Sequence, residues 1–302
     1  MAGVSISEPI ASLRSRYAEP GGFAWWFTRE RLAVAGAILI ILAVAAAVLA
    51  PVLTPYPAEG RGTPNIVNKL LPPSWSHPFG TGPLGRDLLA RVLFGARTAF
   101  IAAVSIQVSG ATVGALLGAL AGYFGDWLDE AIMRVTDIFL AFPPLLLAMT
   151  VAAVLEPSLR NSIIAITLTW WPWYARLARN EALSVRERDY VRAARATGVR
   201  DTTIIFRHIL PNILTPILVQ ATLDIGAAIM TISTLSFVGL GVPPPRADWG
   251  TMIRDGRIHL QAGRWWVPTF PGLALFLTIM SFNLVGDRIQ VAMNPRLRGR
   301  LK

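Results

Sequence analysis

Apolar residues in this chain gather into six blocks, at about 32–49, 98–124, 131–155, 162–177, 209–235 and 266–285, separated by stretches rich in Pro and Gly or in Arg. The first block, Leu32 to Leu49, is 18 residues long, close to the ~20 needed to cross a hydrocarbon core. The apolar region of a secretory signal spans only about 7 to 15 residues, so this block is expected to be a retained helix. The pattern predicts an all-α polytopic membrane protein with six transmembrane helices.

Features inside the blocks refine that outline. Gly110, Gly114, Gly118 and Gly122 recur every four residues, which lays glycine along one helix face and lets a second helix approach closely. Packing within the chain is the expected use, ahead of a homodimer. The third block opens with Arg134 and Asp137, one turn apart and able to pair. Pro143 and Pro144 follow and are expected to break or kink the helix, either for gating or to shape the bundle. Trp170, Trp171, Trp173 and Tyr174 surround Pro172 near the end of the fourth block. The fifth contains Asp224, which at that depth should face the bundle interior, protonated or paired, as a structural or a proton-coupling group.

The connectors carry the remaining signals. Residues 51–96 are rich in Pro and Gly, and Leu84, Leu88 and Val92 recur at four-residue steps with Leu89 and Leu93 beside them. This predicts a short amphipathic helix over Leu84–Phe94, resting on the membrane surface or on its neighbours. Ser236 to Gly250 reads as a rigid Pro/Gly-rich loop. The stretch Glu181 to Asn212 is different: Arg186, Arg188, Arg192, Arg195, Arg200 and Arg207 outweigh Glu187, Asp189 and Asp201, so it is expected on the cytoplasmic side. Within it, Arg186 to Thr197 holds no Gly or Pro and predicts a short helix. Tyr190, Ala193, Ala194 and Thr197 form a small, mostly apolar face, and Arg188, Arg192 and Arg195 line another. Gly198 suits a left-handed helix end, and Asp201 suits the cap of the next helical stretch. Such an element serves either as a docking helix, its alanines allowing close approach and its arginines pairing with a partner's carboxylates, or as a solvated basic loop that sets topology.

Composition narrows the class. With 302 residues, 53% hydrophobic and 15% charged, the chain is more apolar than a soluble domain. The net charge of +10 is carried almost wholly by Arg, with only Lys69 and Lys302 as lysines. Many arginines sit in the tails, including Arg296, Arg298 and Arg300, and in the Glu181–Asn212 loop, so topology explains them without nucleic acid. Trp25, Trp26 and Phe27 precede the first block as candidate interfacial anchors. There are no cysteines, hence no disulfides or thiolate metal sites. His77, His208 and His259 are dispersed and form no ligand set. No G-x-x-x-x-G-K-[ST] loop is present to hold ATP, and no nucleophile and base stand at a telling spacing.

The run RAARATG, nine residues, then HILP resembles the EAA loop of binding-protein-dependent ABC importer permeases. Ala193, Ala194, Gly198, Leu210 and Pro211 fall on that pattern, with Arg192 in place of its Glu and His208 in place of its Ile. His208 before Ile-Leu-Pro-Asn is similar to the dipeptide, oligopeptide and nickel branch. HPFGTGPLGRDLLARVLFGART, Asp137 to Pro143, and SFVGLGVPPPRADWG also resemble that branch, with Gly82 in place of a common Asp and Val238 in place of a common Leu. The resemblance runs from His77 to Pro295, as several motifs in the right order.

It implies a type I ABC importer permease fold, the second permease of a pair. The expected organisation is a cytoplasmic tail (1–31), a first transmembrane helix (32–53), an extracytoplasmic segment (54–96), a permease core of five helices (97–288) with a coupling loop at 179–208, and a cytoplasmic tail (289–302). It implies as partners a second homologous permease, two ABC ATPase subunits, an extracytoplasmic substrate-binding protein and membrane lipid. ATP and Mg would be bound by the ATPases, with no cofactor on this non-catalytic chain. Coupling to the ATPases is expected through Glu181, Ala182, Arg188, Tyr190, Arg192, Ala193, Ala194, Thr197, Gly198, Leu210 and Pro211. Asp137, Pro143 and Asp224 are candidates for the pathway or gating. The expected location is the plasma (inner) membrane with both termini cytoplasmic, and the expected cargo is peptide or a related small solute. Two other classes remain as alternatives: a proton-coupled secondary transporter using Asp224 with Arg134 and Asp137, and a membrane-embedded enzyme, for which the spans offer no constellation of polar groups.

Overall fold

The computed structural model describes residues 30–293. Trp25 to Phe27, Pro295 and the arginines at 296, 298 and 300, with most of both tails, lie outside the described residues. Among those described the chain is helical, with only an isolated bridge between Thr81 and Asp87.

α1 (Arg31–Leu53) is apolar all round, as a helix facing lipid should be. It packs on α12 (Trp266–Met293), where a Cβ at Gly36 would stand 3.0 Å from the Ser281 carbonyl. Between α1 and the next long helix, residues 54–87 fold into a compact cap containing α2 (Pro57–Arg61) and a 3-10 turn at Ile66–Asn68. Its centre is polar and closed. Buried Glu59 accepts from the Asp87 backbone N–H at 2.6 Å and from Asn65 Nδ2 at 3.0 Å, and Asp87 meets His77 Nδ1 at 2.8 Å.

Asp87 also caps α3 (Leu88–Phe124), its Oδ1 accepting from Ala90 N at 2.7 Å. This corrects the short amphipathic helix expected over Leu84–Phe94, on the membrane surface or on its neighbours. Leu84 precedes the cap, and nothing after Phe94 stops the helix, so it continues unbroken for 37 residues, about 55 Å at 1.5 Å per residue. Leu88 and Val92 are buried against the bundle, not laid on a membrane surface.

α4 (Asp126–Leu140) and α5 (Pro144–Val154) form a broken pair bent by 87°. Pro143 and Pro144 sit at the break, where rings without N–H groups cannot continue the helix. The expected Arg134–Asp137 pair does not form. Arg134 reaches Glu130 one turn back at 3.0 Å, and Asp137 accepts from Arg176 at 2.6 Å.

Arg176 lies on α6 (Leu159–Arg186), which makes the largest helix–helix contact of the described residues, with α3. The glycine stripe is the reason. A Cβ at Gly114 would stand 2.6 Å from the Trp171 carbonyl, one at Gly118 2.6 Å from Ala178 Cβ, and one at Gly122 2.6 Å from the Arg179 carbonyl. Arg179 Nε and Nη2 each meet Asp129 at 2.5 Å, tying α4 to the same helix. Charge-assisted bonds of this kind contribute about 1.5–3 kcal/mol. Arg179→Ala is therefore expected to lower the thermal midpoint of the purified subunit by several degrees, with Arg179→Lys intermediate because it keeps charge without the fork.

Beyond α6 come α7 (Asp189–Ala196), α8 (Asp201–Ile204), a π turn at Ile205–Ile209 and α9 (Leu210–Leu223). Pro211 accounts for the π turn: it has no N–H for the Arg207 carbonyl and its ring crowds that carbonyl, so the helix widens just before it. The fifth apolar block was expected to be one helix over 209–235. Instead α9 is joined to its upstream turns and ends before Asp224, the single non-helical residue ahead of α10 (Ile225–Val238).

The loop after α10 contains a cis Pro244–Pro245 bond. It then supplies a helix that the Pro/Gly-rich reading missed, α11 (Trp249–Arg257), capped by Asp248 accepting from Thr251 N at 2.9 Å. Burial pushes the Asp248 carboxyl above the usual carboxylate range. Trp249 is buried against Gly95 and donates from Nε1 to the Val92 carbonyl at 3.0 Å.

α1, α3, the run Asp201–Leu223 and Trp266–Gln290 are long and apolar enough to cross a membrane, and the bent α4–α5 pair makes a fifth candidate. α6 has the length, 28 residues, but its Arg176, Arg179 and Glu181 dilute its apolar stretch.

Candidate functional site: an exposed basic helix, a buried column and a cavity

α7 is brief because both of its ends are fixed. Upstream, α6 ends at Arg186, and Glu187 accepts from Arg192 at 2.7 Å and from Arg186 at 3.2 Å. Those two guanidinium groups, Arg192 first, hold the Glu187 carboxyl below the usual carboxylate range. Downstream, Gly198 takes φ +77°, and Val199 N donates to Ala194 O at 3.1 Å, closing a left-handed cap. A Cβ at Gly198 would meet nothing within 4 Å, so glycine is used there for its backbone and not for space. Asp201 does not cap α8 as expected. It is the first residue inside that helix, and its Oδ1 accepts from Tyr123 Oη at 2.5 Å.

The helix has two distinct sides. Val191 is 0% exposed, with Ala194 partly buried beside it. Arg188, Tyr190, Arg192, Ala193, Thr197 and Gly198 are exposed. The predicted small face is thus divided, with Tyr190, Ala193 and Thr197 facing out and Ala194 turned toward the core. Arg195 is drawn away from the other arginines, its guanidinium 4.9 Å above the Tyr123 ring at the end of α3. Glu181 is half-buried. Ala182 is fully buried, its Cβ 2.8 Å from where a Gly122 Cβ would stand, so it belongs to the helix packing and not to an accessible surface. Leu210 is partly buried and Pro211 exposed, next to the π turn.

Val191 was not singled out by periodicity, yet it begins the structure's second apolar core. That core runs from Val191 through Val185, Ile204, Ile205 and Ile209 to Ile213, Ile217 and Tyr174. It is a continuous buried column from α7 into α6 and α9.

At the far end of the column lies a cavity of about 690 Å³, lined by Pro144, Trp170, Trp173, Tyr174, Gln220 and Asp224 among others. Tyr174 Oη lies 2.6 Å from Gln107 Oε1 and 3.0 Å from Asp224 Oδ2, and Gln220 Nε2 donates to Asp224 Oδ1 at 3.0 Å. Neither partner of Asp224 is cationic. Gln107 Nε2 is buried with no hydrogen-bond partner among the described residues. Pro144, beside the predicted Pro143, lines this cavity. Asp137 instead sits in its ion pair with Arg176 and is outside the lining. Among the described residues no group of three or more His, Cys, Asp or Glu is placed to hold a metal ion.

Residues 114–299 match the family model of the binding-protein-dependent transport system inner membrane component, and residues 23–73 match that of the N-terminal TM domain of oligopeptide transport permease C. The dipeptide transport system permease protein DppC of Alkalihalophilus pseudofirmus is 41% identical over 271 residues, covering 89% of this chain and 88% of the relative. The glutathione transport system permease protein GsiD of Pectobacterium atrosepticum is 39% identical over 272 residues, covering 90% and 89%. The inward-facing structure of the MetNI methionine ABC transporter aligns with a TM-score of 0.51 at 19% identity, covering 68% of this chain and 98% of that one, a likeness of fold. A six-helix membrane architecture is consistent with these matches, and none of them favours a proton-coupled transporter. The chain therefore belongs to the binding-protein-dependent transport system inner membrane component family, as an integral membrane permease subunit of an ABC importer.

Proposed function

We propose that this chain forms half of the translocation pathway of an ATP-driven importer for di- or oligopeptides or a closely related solute. The peptide class is supported by the names of its relatives, which include dipeptide and glutathione permeases. In this reading a second, similar permease completes the pathway. Two ATPase subunits carry ATP and Mg, with no cofactor on this chain, and a binding protein delivers cargo from outside. Both termini and α7 face the cytoplasm, in keeping with the arginines of the tails and of the Glu181–Asn212 loop.

One observation carries the proposal: α7 exposes Tyr190, Ala193 and Thr197 while Val191 on its other side is locked into the buried column. An ATPase that engages the exposed side and moves would push a packed core, and packed cores shift as units between arrangements. Glu181, Arg188, Arg192, Gly198, Leu210 and Pro211 surround or brace that contact. At the other end, the cavity around Asp224 is the proposed pathway, with the Pro143–Pro144 break shaping its wall.

Gentle solubilisation of the tagged chain is expected to recover a second permease, an ATPase and a binding protein. Recovery of the chain alone, active in proteoliposomes without ATP, would overturn the reading. Within the complex, Asp224→Asn is expected to lower peptide uptake about tenfold, equivalent to ~1.4 kcal/mol, while ATP hydrolysis continues. Unchanged uptake would remove Asp224 from the pathway.

A further inference from the structure

At the end of α3 away from α7 lies a second cavity, about 480 Å³, whose lining includes Arg61, Phe94, Arg97, Ile101, Leu159 and Arg246. It draws its three arginines from α2, α3 and the loop before α11. All three are exposed, and none makes an ion pair or a side-chain hydrogen bond among the described residues. No Asp or Glu lines the cavity. This sets the three apart from Arg176, Arg179, Arg192 and Arg254, each of which has a carboxylate partner. Like charges brought to one cavity without a counter-ion repel, so the arrangement suits an anion supplied from outside the chain. Guanidinium groups in that setting match phosphate oxygens, to which they donate in pairs.

The surroundings define the rest of the ligand. Phe94, Ile101 and Leu159 give the cavity an apolar wall. From Arg97 an exposed stripe continues down α3 at helical spacing through Ile101, Val104 and Val108. Val104, Val108 and Val113 line a shallow groove farther along the same helix. From Arg97 to Val108 the helix rises about 16 Å, close to one leaflet of a ~30 Å hydrocarbon core. A soluble phosphate or carboxylate would use the arginines and leave the stripe idle.

We infer that this surface binds an anionic phospholipid, its phosphate held by Arg61, Arg97 and Arg246 and one acyl chain laid along Ile101, Val104 and Val108. Basic pockets between membrane helices recognise anionic head groups on the cytoplasmic side, and the same guanidinium–phosphate chemistry serves here at the opposite face. The inference is independent of the cargo and of the coupling helix.

The test is native mass spectrometry of the full-length subunit in neutral detergent, titrated with phosphatidylglycerol or with phosphatidylcholine of the same acyl chains. Phosphatidylglycerol should be retained about tenfold more tightly. The double variant Arg61→Ala/Arg97→Ala should bring the two lipids to within about twofold of each other, with an unchanged size-exclusion profile because neither side chain holds the fold together. Equal retention of the two lipids by the unmodified chain would overturn the proposal, as would a preference that survives the double variant. Displacement of phosphatidylglycerol by millimolar glycerol phosphate would assign the arginines to a soluble anion and reject the lipid. Loss of binding-protein affinity in the variant, with no lipid preference in the unmodified chain, would assign them to an acidic protein surface and reject it equally.

Discussion

Gly118→Val is expected to remove nearly all correctly folded subunit. A Cβ at Gly118 would meet Ala178 Cβ at 2.6 Å and the Arg179 backbone N at 2.9 Å. These atoms belong to the backbone and first carbon of α6, which cannot rotate away as the tip of a side chain can. Overpacking usually costs about 1–3 kcal/mol. Here the strain falls on the largest helix–helix contact among the described residues, so the cost should lie at or above the upper end of that range. Gly110→Ala provides the control on the same stripe, because its nearest neighbours stand at 3.6–3.8 Å. Fluorescence-detected size exclusion of detergent extracts should show a monodisperse peak for Gly110→Ala and aggregate for Gly118→Val. A normal peak for Gly118→Val would mean that α3 and α6 do not meet along the glycines.

Val191→Asp should uncouple transport without unfolding the chain. Val191 is 0% exposed and begins the column through Val185, Ile204 and Ile209 to the cavity helices. A carboxylate there will not stay in an apolar core, since burying a charge costs several kcal/mol, and it is drawn outward to water and to Arg188 and Arg195, each one helical turn away. The helix is expected to swing outward. α7 is eight residues long and peripheral, so the bundle should survive. In reconstituted complex, uptake should fall by at least about tenfold, with ATP hydrolysis no longer stimulated by loaded binding protein. Val191→Ile, which keeps the apolar contact, should retain most uptake. Normal uptake by Val191→Asp would show that the column does not carry the coupling.

The features legible in the sequence were those set by local backbone chemistry. The glycine stripe announced a helix contact because a four-residue repeat keeps one face free of side chains whatever lies opposite. Pro143 and Pro144 announced the break, and Gly198 the end of α7, because rings and left-handed backbone leave few options. Partners that depend on tertiary approach were not legible. Arg134 and Asp137 are spaced to pair, but Asp137 is claimed by Arg176, 39 positions along the chain. Val191 escaped notice because an eight-residue helix offers little periodicity, and its buried side is decided by where Ile204 and Ile205 arrive. The joint at Asp224 has no Gly or Pro of its own to mark it. It is held by Gln220, one turn back on the same run, and by Tyr174, which arrives from α6, 50 positions away. The helix after Asp248 was hidden by the prolines before it, although the Asp248 and Thr251 pair is a usable cap signal.

The central claim is that the exposed side of α7 is where an ATPase engages this chain. The chain has no cysteine of its own, so a single Ala193→Cys carrying a photoreactive maleimide reports on that contact alone. On illumination of membranes holding the whole complex, the adduct should join this chain to an ATPase subunit, with a yield that changes when ATP is added. The same label at Val108→Cys, exposed on the distant groove of α3, should capture no ATPase. Failure of the label at position 193 to reach an ATPase in a complex that hydrolyses ATP and transports would contradict the account.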